Sequence, residues 1–432
     1  MMTKQPVRKI ERVLSSGKTA AKAGGKMLYY FAKQPFMDAE KRREEKNKAI
    51  REGAQTLFQG LSLLKGTALK LAQQLSLETD LLPEAAVKEL VKSYHQVPPI
   101  NRALVRKAII DGLGQPPEKI FSNFDLTAFA AASLGQVHSA ESQTNHPLAV
   151  KIQYPGIAAT IDSDMALLRQ VLRPVIQSDQ LVPLLTEVTD RLHEEIDYQK
   201  EAERLVYFGS HLKIDGVRVP DFWPDFSTSR ILTTTIMPGK PLNQWLMDCP
   251  DQRKRDAVAQ RLQDIFITGL YDLHLIHADP NPGNFIIAAD LTIGLVDFGC
   301  MKSFEPSFVQ HYQRLAQASF RYDYKICLQE MIALGFIPKH IDSTILARVK
   351  KVSDASMQWL SKLCEHEYFD FADNPNFIGE GMTLMRQYHD LHRHLQLNPD
   401  ILFLDRTRYG LLRLFEKMGA RVCFRNAREW KR

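Results

Sequence analysis

Two short polar stretches, separated by an apolar segment, constrain the fold of this chain more than any other feature of its sequence. The first is His277-Ala-Asp-Pro-Asn-Pro-Gly-Asn284, and the second is Asp297-Phe-Gly299. They contain a carboxylate, an amide five positions later and a second carboxylate thirteen positions after that: Asp279, Asn284 and Asp297. Transfer of a phosphoryl group from a nucleotide needs a carboxylate beside the attacking oxygen, and carboxylate and amide oxygens to hold Mg²⁺ on the phosphates. The spacing therefore predicts Asp279 as the base or water-positioning group, and Asn284 and Asp297 as the metal ligands.

The same spacing occurs in the catalytic loop of protein kinases. There an Asp and an Asn stand five positions apart in the pattern HRDxxxxN, and a DFG tripeptide follows. The alternative is a proline-rich turn followed by an unrelated Asp-Gly turn. The tripeptide alone would not separate the two interpretations, but the loop and the tripeptide at this spacing favour the kinase pattern.

A lysine for the nucleotide phosphates is expected on a β-hairpin over residues 129–155. Its second strand contains Leu148-Ala-Val-Lys151, which is close to the kinase strand V-A-I-K, so Lys151 is the predicted phosphate clamp. A strand lysine that points to solvent is the alternative. The acid that holds Lys151 is expected on the following helix, which carries several candidates: Glu194, Glu195, Asp197 and Glu201. A solvated acidic face is the alternative for each of them.

Apolar periodicity predicts the elements around these motifs. A helix is expected from Leu57, because apolar residues recur there at steps of three and four, and another is expected over Arg102–Leu113. Further on we expect a helical stretch over 157–208 with an interruption near Pro183, followed by strands at 216–220 and 229–236. A hinge at 237–241 comes next. The remainder is expected to be almost entirely helical, apart from one loop region at 277–298.

The expected fold class is α+β: a bilobed, protein kinase-like fold with a helical N-terminal extension packed over the active site and a mostly helical C-terminal lobe. Four domains are predicted: a basic helical segment (1–56), a helical extension (57–115), an N-terminal lobe (116–237) and a C-terminal lobe (238–432).

The positive charge of the chain is concentrated at its N-terminus. The 432 residues carry a net charge of +6, but residues 1–51 hold 14 Lys and Arg against 5 acids, and the remaining chain holds 42 against 45. A uniformly basic surface for nucleic acid is therefore excluded, and no nucleic-acid partner is expected. The 5 cysteines form no CxxC pair, which argues against a disulfide framework or a zinc ribbon and favours a reducing compartment.

No targeting or membrane-spanning segment is expected. The best N-terminal apolar run, Met27-Leu-Tyr-Tyr-Phe-Ala32, is shorter than a signal-peptide core of about 7–15 residues. No stretch approaches the roughly 20 apolar residues of a spanning helix. We therefore expect a cytoplasmic protein with peripheral contact to the cytoplasmic face of the inner membrane, where the basic segment would meet anionic lipids. Docking of the Met27–Phe31 cluster on the protein itself is the alternative.

From about residue 57 to the C-terminus the chain resembles the UbiB family of atypical protein kinase-like proteins, which includes AarF and the mitochondrial coenzyme Q kinase-like proteins. Five stretches carry the resemblance: Ala130-Ala-Ala-Ser-Leu-Gly-Gln-Val-His138, Ala149-Val-Lys-Ile-Gln-Tyr-Pro-Gly156, Glu195-Ile-Asp-Tyr-Gln-Lys-Glu-Ala202, His277–Asn284 and Asp405-Arg-Thr-Arg-Tyr-Gly-Leu411.

The resemblance implies ATP as the nucleotide and Mg²⁺, with Mn²⁺ as the alternative, as its metal. It also implies an alanine-rich turn in place of the kinase glycine-rich loop, which makes the nucleotide-binding set Ala130, Ala131, Ala132, Ser133, Gly135, Lys151 and Met237. Alanine adds a methyl group where glycine would let the backbone approach a phosphate. The hinge near Thr235 lacks a glutamate that many relatives carry, so adenine contacts there would rest on backbone groups.

Two further motifs are implied by the resemblance alone. Glu201 is the family's partner of the lysine, and Glu195 with Asp197 forms its ExD motif. Lys70-Leu-Ala-Gln73 matches the KxGQ motif of the extension, although Ala72 replaces the glycine. Lys70 and Gln73 are therefore placed in the active-site set, and a solvated Lys70 on an amphipathic helix is the alternative.

The implied function is a Mg²⁺-dependent ATPase or atypical kinase that acts in, or regulates, ubiquinone biosynthesis at a membrane surface. Its expected partners are ATP and ADP, anionic lipids, and quinone-biosynthesis proteins or intermediates. The alternative is a nucleotide-switched pseudokinase that serves as a lipid-binding scaffold, which the alanine-rich turn favours and the complete phosphate-handling set disfavours. A true protein kinase ranks third, because Lys70 and its helix would crowd the acceptor side.

Overall fold

The computed structural model describes residues 100–432, apart from short gaps at 133, 160, 163–164, 167–168, 170–180, 390, 392–394, 396–397 and 431–432. The predictions for residues 1–99, which include Lys70, Gln73, the basic segment and most of the extension, lie outside the described residues. So does Ser133 of the alanine-rich turn.

The α-helices of the described residues, numbered in chain order, are α1 (Arg102–Leu113), α2 (Pro117–Ile120), α3 (Leu181–Glu195), α4 (Tyr198–His211), α5 (Leu242–Met247), α6 (Gln252–Tyr271), α7 (Pro306–Phe320), α8 (Tyr324–Ala333), α9 (Ser343–Ser361), α10 (Phe377–His389) and α11 (Pro399–Met418). The β-strands are β1 (Asn123–Phe124), β2 (Ala130–Ala132), β3 (Gly135–Glu141), β4 (Pro147–Gln153), β5 (Val217–Arg218), β6 (Ile231–Thr235), β7 (Lys240–Pro241), β8 (Leu275–His277), β9 (Phe285–Ile287), β10 (Ile293–Leu295), β11 (Met301–Ser303), β12 (Phe369–Asp370) and β13 (Arg421–Val422). Short 3₁₀ turns cover Pro224–Phe226, Pro282–Asn284 and Lys362–Cys364.

The chain divides into two compact units. The first contains the residues up to Glu201 together with Phe222–Ile236, and the second contains Ala202–Asp221 and Met237–Arg432. Among the described residues, no helix is both long and apolar enough to cross a membrane.

The first unit is built on an antiparallel sheet in the order β1-β3-β4-β6, with β2 also paired to β3. The predicted hairpin is confirmed, because β3 and β4 pair from Gly135 opposite Gln153 to Glu141 opposite Pro147. Leu148, Val150 and Ile152 of β4 are buried in a core to which α1 also contributes. Successive side chains of a strand point to opposite faces, so Lys151 lies on the face away from this core.

The second unit contains a sheet in the order β5-β10-β9-β7 and a separate antiparallel pair of β8 with β11. In the larger sheet β5 and β10 are parallel, and the other neighbours are antiparallel. Helix α5 contacts β7 and β9, and α6 contacts β8. The strands position the loops that follow β8 and β10, which carry the acids predicted to handle the phosphates.

Helix α1 has the predicted bounds, but the prediction of a helical remainder with one loop region was wrong. The region 277–298 is not a single loop, since it contains β9 and β10; strands of three residues are too short to show a periodicity of two. The part of the chain after the hinge also forms the short pair of β12 and β13. Pro183 lies near the start of α3, and residues 170–180 before it lie outside the described residues, so the interruption near Pro183 stays a prediction. A further interruption, which was not predicted, falls at Ile196 and Asp197.

The interruption between α3 and α4 has a local cause. The Asp197 carboxylate accepts a hydrogen bond of 3.1 Å from the backbone N–H of Lys200, and the Lys200 side chain pairs with the same carboxylate at 3.3 Å. A side-chain oxygen that accepts from a backbone N–H of the first turn caps a helix N-terminus. Asp197 therefore begins α4, the helix that carries Glu201.

Candidate functional site

A bidentate ion pair joins β4 to the first turn of α4 in the first unit. The Nζ atom of Lys151 lies 2.7 and 2.9 Å from the two carboxylate oxygens of Glu201. The Glu201 side chain is only 2% exposed and that of Lys151 is 15% exposed. Of the four acids predicted as candidates, Glu201 is thus the one that holds Lys151, whereas Asp197 caps the helix.

A tyrosine that the sequence analysis missed lies beside this ion pair. The Tyr198 ring centroid is 5.2 Å from Lys151 Nζ, and Tyr198 is 2% exposed. An ammonium group at this distance from an aromatic face is attracted by the ring quadrupole. The spacing of three residues between Tyr198 and Glu201, which places both on one helix face, was the available signal.

The glycine of the alanine-rich turn has a packing reason. A Cβ atom at Gly135 would overlap the Ile152 carbonyl oxygen and lie 3.0 Å from the Tyr198 hydroxyl oxygen. Only glycine permits such an approach of two backbones. Ala130 and Ala131 are exposed on β2 and Ala132 is partly buried. Their role in binding a nucleotide stays a prediction.

In the second unit, the loop between β8 and β9 brings Asp279 and Asn284 together. Asn284 is 7% exposed, and its Nδ2 donates to the Asp279 carboxylate oxygen at 3.1 Å and to the Asp279 carbonyl oxygen at 3.2 Å. The Asn281 side chain closes the turn by accepting from the Gly283 N–H at 3.0 Å. The amide of Asn284 therefore orients the carboxylate predicted to act as the base.

Asp297 adopts an uncommon backbone conformation with φ of 64°. A residue other than glycine in this left-handed region costs roughly 1–2 kcal/mol, so its surroundings must hold it there. His277 does so: its Nε2 atom lies 3.0 Å from the carbonyl oxygen of Asp297 and 3.3 Å from that of Val296. Carbonyl oxygens only accept, so Nε2 carries a hydrogen and donates it. The Gly299 N–H also donates to the Asp297 carboxylate at 3.3 Å.

A cluster of aromatic rings and one arginine support the same segment. Phe298 is fully buried, with ring centroids 5.7 Å from His277 and 5.9 Å from Phe208 of α4. Arg204, also on α4, donates to the Gly299 carbonyl oxygen at 3.2 Å. Sequence reasoning placed His277 in the motif without a role, and it missed Arg204 and Phe208 because their contacts lie about ninety positions away along the chain.

The hinge residue Met237 packs on the strand that leads to Asp297. A Cβ atom at Gly294 of β10 would lie 2.8 Å from Met237 Cγ. The side chain of Met237 is therefore fixed against β10, and its predicted contact with a nucleotide stays a prediction.

The predicted metal ligands have the donor chemistry that Mg²⁺ prefers. Asn284 and Asp297 offer amide and carboxylate oxygens, and Mg²⁺ in nucleotide sites is commonly held by one or two such groups together with phosphate oxygens. The described residues contain no cluster of three or more His, Cys, Asp or Glu side chains that could hold a metal ion by itself. The residues thus fit a metal that arrives with the nucleotide.

Comparison with known proteins identifies the family. Residues 92–331 match the ABC1 atypical kinase-like domain. The chain belongs to the UbiB family of ABC1 atypical kinase-like proteins. The matched UbiB region includes Lys151, Glu201, Asp279, Asn284 and Asp297.

Named relatives come from chloroplasts and mitochondria. The chain is 32% identical over 324 residues to Protein Activity of BC1 complex kinase 8, chloroplastic, of Arabidopsis thaliana. This match covers 70% of this chain and 42% of that protein. It is 28% identical over 380 residues to Atypical kinase COQ8, mitochondrial, of Schizosaccharomyces pombe. This match covers 85% of this chain and 60% of that protein. The chain spans about half the length of the curated relatives it matches.

A solved structure shares the fold. The structure of Rv3197 of Mycobacterium tuberculosis in complex with erythromycin matches with a TM-score of 0.59 at 22% identity, over 88% of this chain and 96% of that chain. At this level of identity the likeness concerns the fold alone.

Proposed function

We propose that this protein is a Mg²⁺-ATP-dependent atypical kinase or ATPase. The observation that carries the proposal is the bidentate Lys151–Glu201 ion pair at 2.7 and 2.9 Å. Burying an ion pair costs desolvation energy that its mutual attraction often only offsets, so such a pair is weak evidence for stability. A lysine held by a helix glutamate is, however, the pair that kinases need for the nucleotide phosphates.

The residues of the proposed site divide the work of binding the phosphates, holding the metal and accepting the proton. Lys151 binds the α- and β-phosphates, held in place by Glu201. Asn284 and Asp297 hold Mg²⁺, or Mn²⁺ as the alternative, which supplies positive charge against the charge that develops on the phosphates. Asp279 accepts the proton of the attacking hydroxyl or water. The oxygen of that hydroxyl or water bonds to the γ-phosphorus, and ADP leaves with the electrons of the broken P–O bond. The hydrogen bond from Asn284 keeps the Asp279 carboxylate in the required orientation.

The context proposed for this activity is ubiquinone biosynthesis at a membrane surface. The relatives named COQ8 support it. We propose quinone-biosynthesis proteins or intermediates as partners, and anionic lipids as ligands of the basic segment, residues 1–51. Lipid profiling of a deletion strain tests the pathway: accumulated quinone precursors support it, and an unchanged quinone profile contradicts it.

A test of the catalytic assignment compares single-turnover ATP hydrolysis by the wild type and by Asp279→Asn. Removing a general base lowers the rate by about 10²- to 10⁴-fold, and we expect nucleotide affinity to stay within a few-fold. Asp290→Asn is the matched control, because Asp290 is an exposed acid of the same unit outside the proposed site. Equal rates for the wild type and Asp279→Asn would remove Asp279 from catalysis.

The same variant decides between this proposal and the second candidate function, a nucleotide-switched scaffold. The exposed alanines of β2 favour that candidate, since their methyl groups occupy the place of the kinase glycines. Restoration of quinone synthesis in the deletion strain by Asp279→Asn would support the scaffold. Failure to restore it, with normal protein levels, would support the enzyme.

The lipid proposal has its own test. About 1 kcal/mol of attraction to an anionic membrane is expected for each basic residue near its surface. Deleting residues 1–51 should therefore weaken binding to anionic liposomes and leave nucleotide affinity intact. Unchanged liposome binding would contradict the proposal, and binding to neutral liposomes serves as the control.

A further inference from the structure

We propose that the C-terminal helix α11 positions the catalytic loop, and that Gly410 is the positioning residue through which it does so. Gly410 would act on Asp279 by way of Pro280, the next residue of the loop. This inference rests on the proposed function, since it assigns a support to the residue proposed as the base.

The first observation is a close approach between the helix and the loop. A Cβ atom at Gly410 would overlap Cγ of Pro280 and lie 3.3 Å from its Cβ and 3.6 Å from its Cδ. The backbone of α11 at Gly410 thus lies in close contact with the proline ring. No other residue type leaves room for the ring at this distance.

The position of Gly410 in its helix excludes the usual explanation of a helical glycine. α11 runs over 20 residues from Pro399 to Met418, so Gly410 lies in its interior, and its φ is not positive. Glycine there costs roughly 0.5–1 kcal/mol of helix stability relative to alanine. The helix C-terminus already has its own glycine, Gly419, in the left-handed conformation. Contact with Pro280 is the feature that requires glycine at 410.

A second contact of the same helix lies on β11, the strand that follows Asp297 in the chain. Asp400, in the first turn of α11, forms an ion pair of 2.6 Å with Lys302 of β11. Both side chains are partly buried, at 32% and 24% exposed. Strand β11 follows Asp297 in the chain and pairs with β8, which leads into the loop of Asp279; Lys302 stands opposite Ile276. α11 therefore contacts the loop that carries Asp279 and the strand that follows Asp297.

The geometry predicts what a shift of Pro280 would do. Its ring fixes its own φ, so Pro280 and the peptide bond to Asp279 move as one stiff unit. The Asp279 carboxylate is also tied to Asn284 at 3.1 Å, so a displacement of the loop changes the orientation of both groups. A misplacement of about 1 Å can cost about 10²-fold in rate.

The variant Gly410→Ala tests the inference in the full chain. We expect kcat for ATP turnover to fall at least about tenfold while KM for ATP changes less than about threefold, because Lys151 and Glu201 are untouched. Gly112→Ala is the matched control: Gly112 is also a helical glycine in close contact, with a Cβ atom 2.5 Å from Ile231 Cδ1, but it lies in α1 of the first unit. If Gly410 had a purely structural role, both variants would have a lower melting temperature. The kcat of each variant, calculated per folded molecule, would then equal that of the wild type.

A compensating variant makes the test specific. Pro280→Ala removes Cγ and Cδ of the ring, so Gly410→Ala/Pro280→Ala should regain at least about fivefold in kcat over Gly410→Ala, a non-additive result in a double-mutant cycle. Hydrogen exchange of the backbone N–H groups of Asp279, Asn281, Gly283 and Asn284 should accelerate in Gly410→Ala and not in Gly112→Ala. Wild-type kcat and wild-type exchange in Gly410→Ala would overturn the inference.

The controls separate this inference from the proposed function. If the wild type and Asp279→Asn hydrolyse ATP at the same rate, the catalytic role of Asp279 is wrong, and with it the inference. If those two differ but Gly410→Ala behaves as the wild type, only the role of α11 is wrong.

Discussion

The two parts of the proposed site hold their charged groups by different means. In the first unit, Glu201 is buried and its charge is matched by Lys151 at 2.7 Å, beside the ring of Tyr198. In the second unit, Asp279 and Asp297 are oriented by an amide, by a histidine and by backbone groups. The first part thus depends on the pairing of charges, and the second depends on the packing of loops.

This difference predicts different responses to mutation. Breaking a buried pair removes stability and function together, because it leaves an uncompensated charge. Altering a carboxylate held by hydrogen bonds from neutral groups removes function and leaves most of the stability. The four predictions below test this contrast, in order of decreasing expected effect.

Lys151→Met should have the largest effect on stability. It removes the lysine from a glutamate that is 2% exposed, and breaking a buried pair costs about 3–5 kcal/mol. We expect the double variant Lys151→Met/Glu201→Leu to recover most of this loss, since it removes both charges. Asp279→Asn, measured by the same denaturant unfolding, should change stability by less than about 1 kcal/mol. A loss in Asp279→Asn as large as in Lys151→Met would refute the contrast.

Asp405 of α11 is an acid of the second unit whose negative charge is only partly balanced by a nearby positive charge. It therefore gives a second test of how a poorly paired charge affects stability. Burial raises its pKa from 3.8 to about 6, and Arg408 offsets only part of this rise. The folded state therefore binds this proton more tightly than the unfolded state. The contribution of Asp405 to stability falls as the pH rises from about 4 to about 6 and is lowest above that range.

The variant Asp405→Asn should remove this dependence on pH. Above pH 6.5 we expect it to exceed the wild type in stability by up to about 3 kcal/mol, at about 1.4 kcal/mol per unit of pKa. Below pH 4 the difference should vanish, which unfolding curves at several pH values would show. Asp400→Asn, which removes the ion pair with Lys302, should give no such gain. A constant difference at all pH values would contradict the assignment to Asp405.

Arg204→Met should weaken the metal site at little cost in stability. The variant removes a charged donor from the Gly299 carbonyl oxygen, a hydrogen bond worth about 1.5 kcal/mol or somewhat more. We expect the Mg²⁺ concentration for half-maximal ATP turnover to rise about tenfold, and Arg204→Lys to restore part of it. Lys200→Met on the same helix is the control, since Lys200 is exposed and pairs only with Asp197 among the described residues. An equal shift in both variants would show that general loosening of α4 is the cause.

Tyr198→Leu should have the smallest effect on the site. A cation–π contact of this kind contributes about 0.5–1 kcal/mol, so nucleotide affinity should fall about two- to fivefold, whereas Tyr198→Phe should keep it. Isothermal titration with ATP measures the change. Tyr154→Leu removes another buried tyrosine of the same unit and should cost stability without changing affinity. Equal affinities of Tyr198→Leu and Tyr198→Phe would exclude a role of the ring.

Local patterns were enough to predict the parts of the molecule that depend on neighbouring residues. The bounds of α1 and the pairing of β3 with β4 follow from apolar periodicity and turn chemistry within short windows. The contact of Lys151 with Glu201 was expected from the family resemblance, although the sequence alone offered four acids. The contact of Asn284 with Asp279 lies within one short loop. The catalytic roles of these residues stay predictions.

The contacts that sequence reasoning missed join distant segments. The approach of Gly410 to Pro280 and the bond from Arg204 to Gly299 leave no periodic signal, because each depends on how two separate elements pack. The left-handed φ of Asp297 was also unexpected, since it is imposed by His277 and by the loop itself. The break at Ile196 and Asp197 was missed, because it depends on the Asp197 side chain capping α4 and not on a proline or glycine.

The packing of Met237 on Gly294 restricts how this site can change in evolution or by design. Any side chain at 294 would meet Cγ, Cβ and Sδ of Met237, at 2.8, 2.9 and 3.0 Å from its Cβ. A residue larger than glycine at position 294 therefore requires a residue smaller than methionine at position 237. Positions 237 and 294 form one unit of variation, so a library that alters nucleotide preference at the hinge must randomise both together.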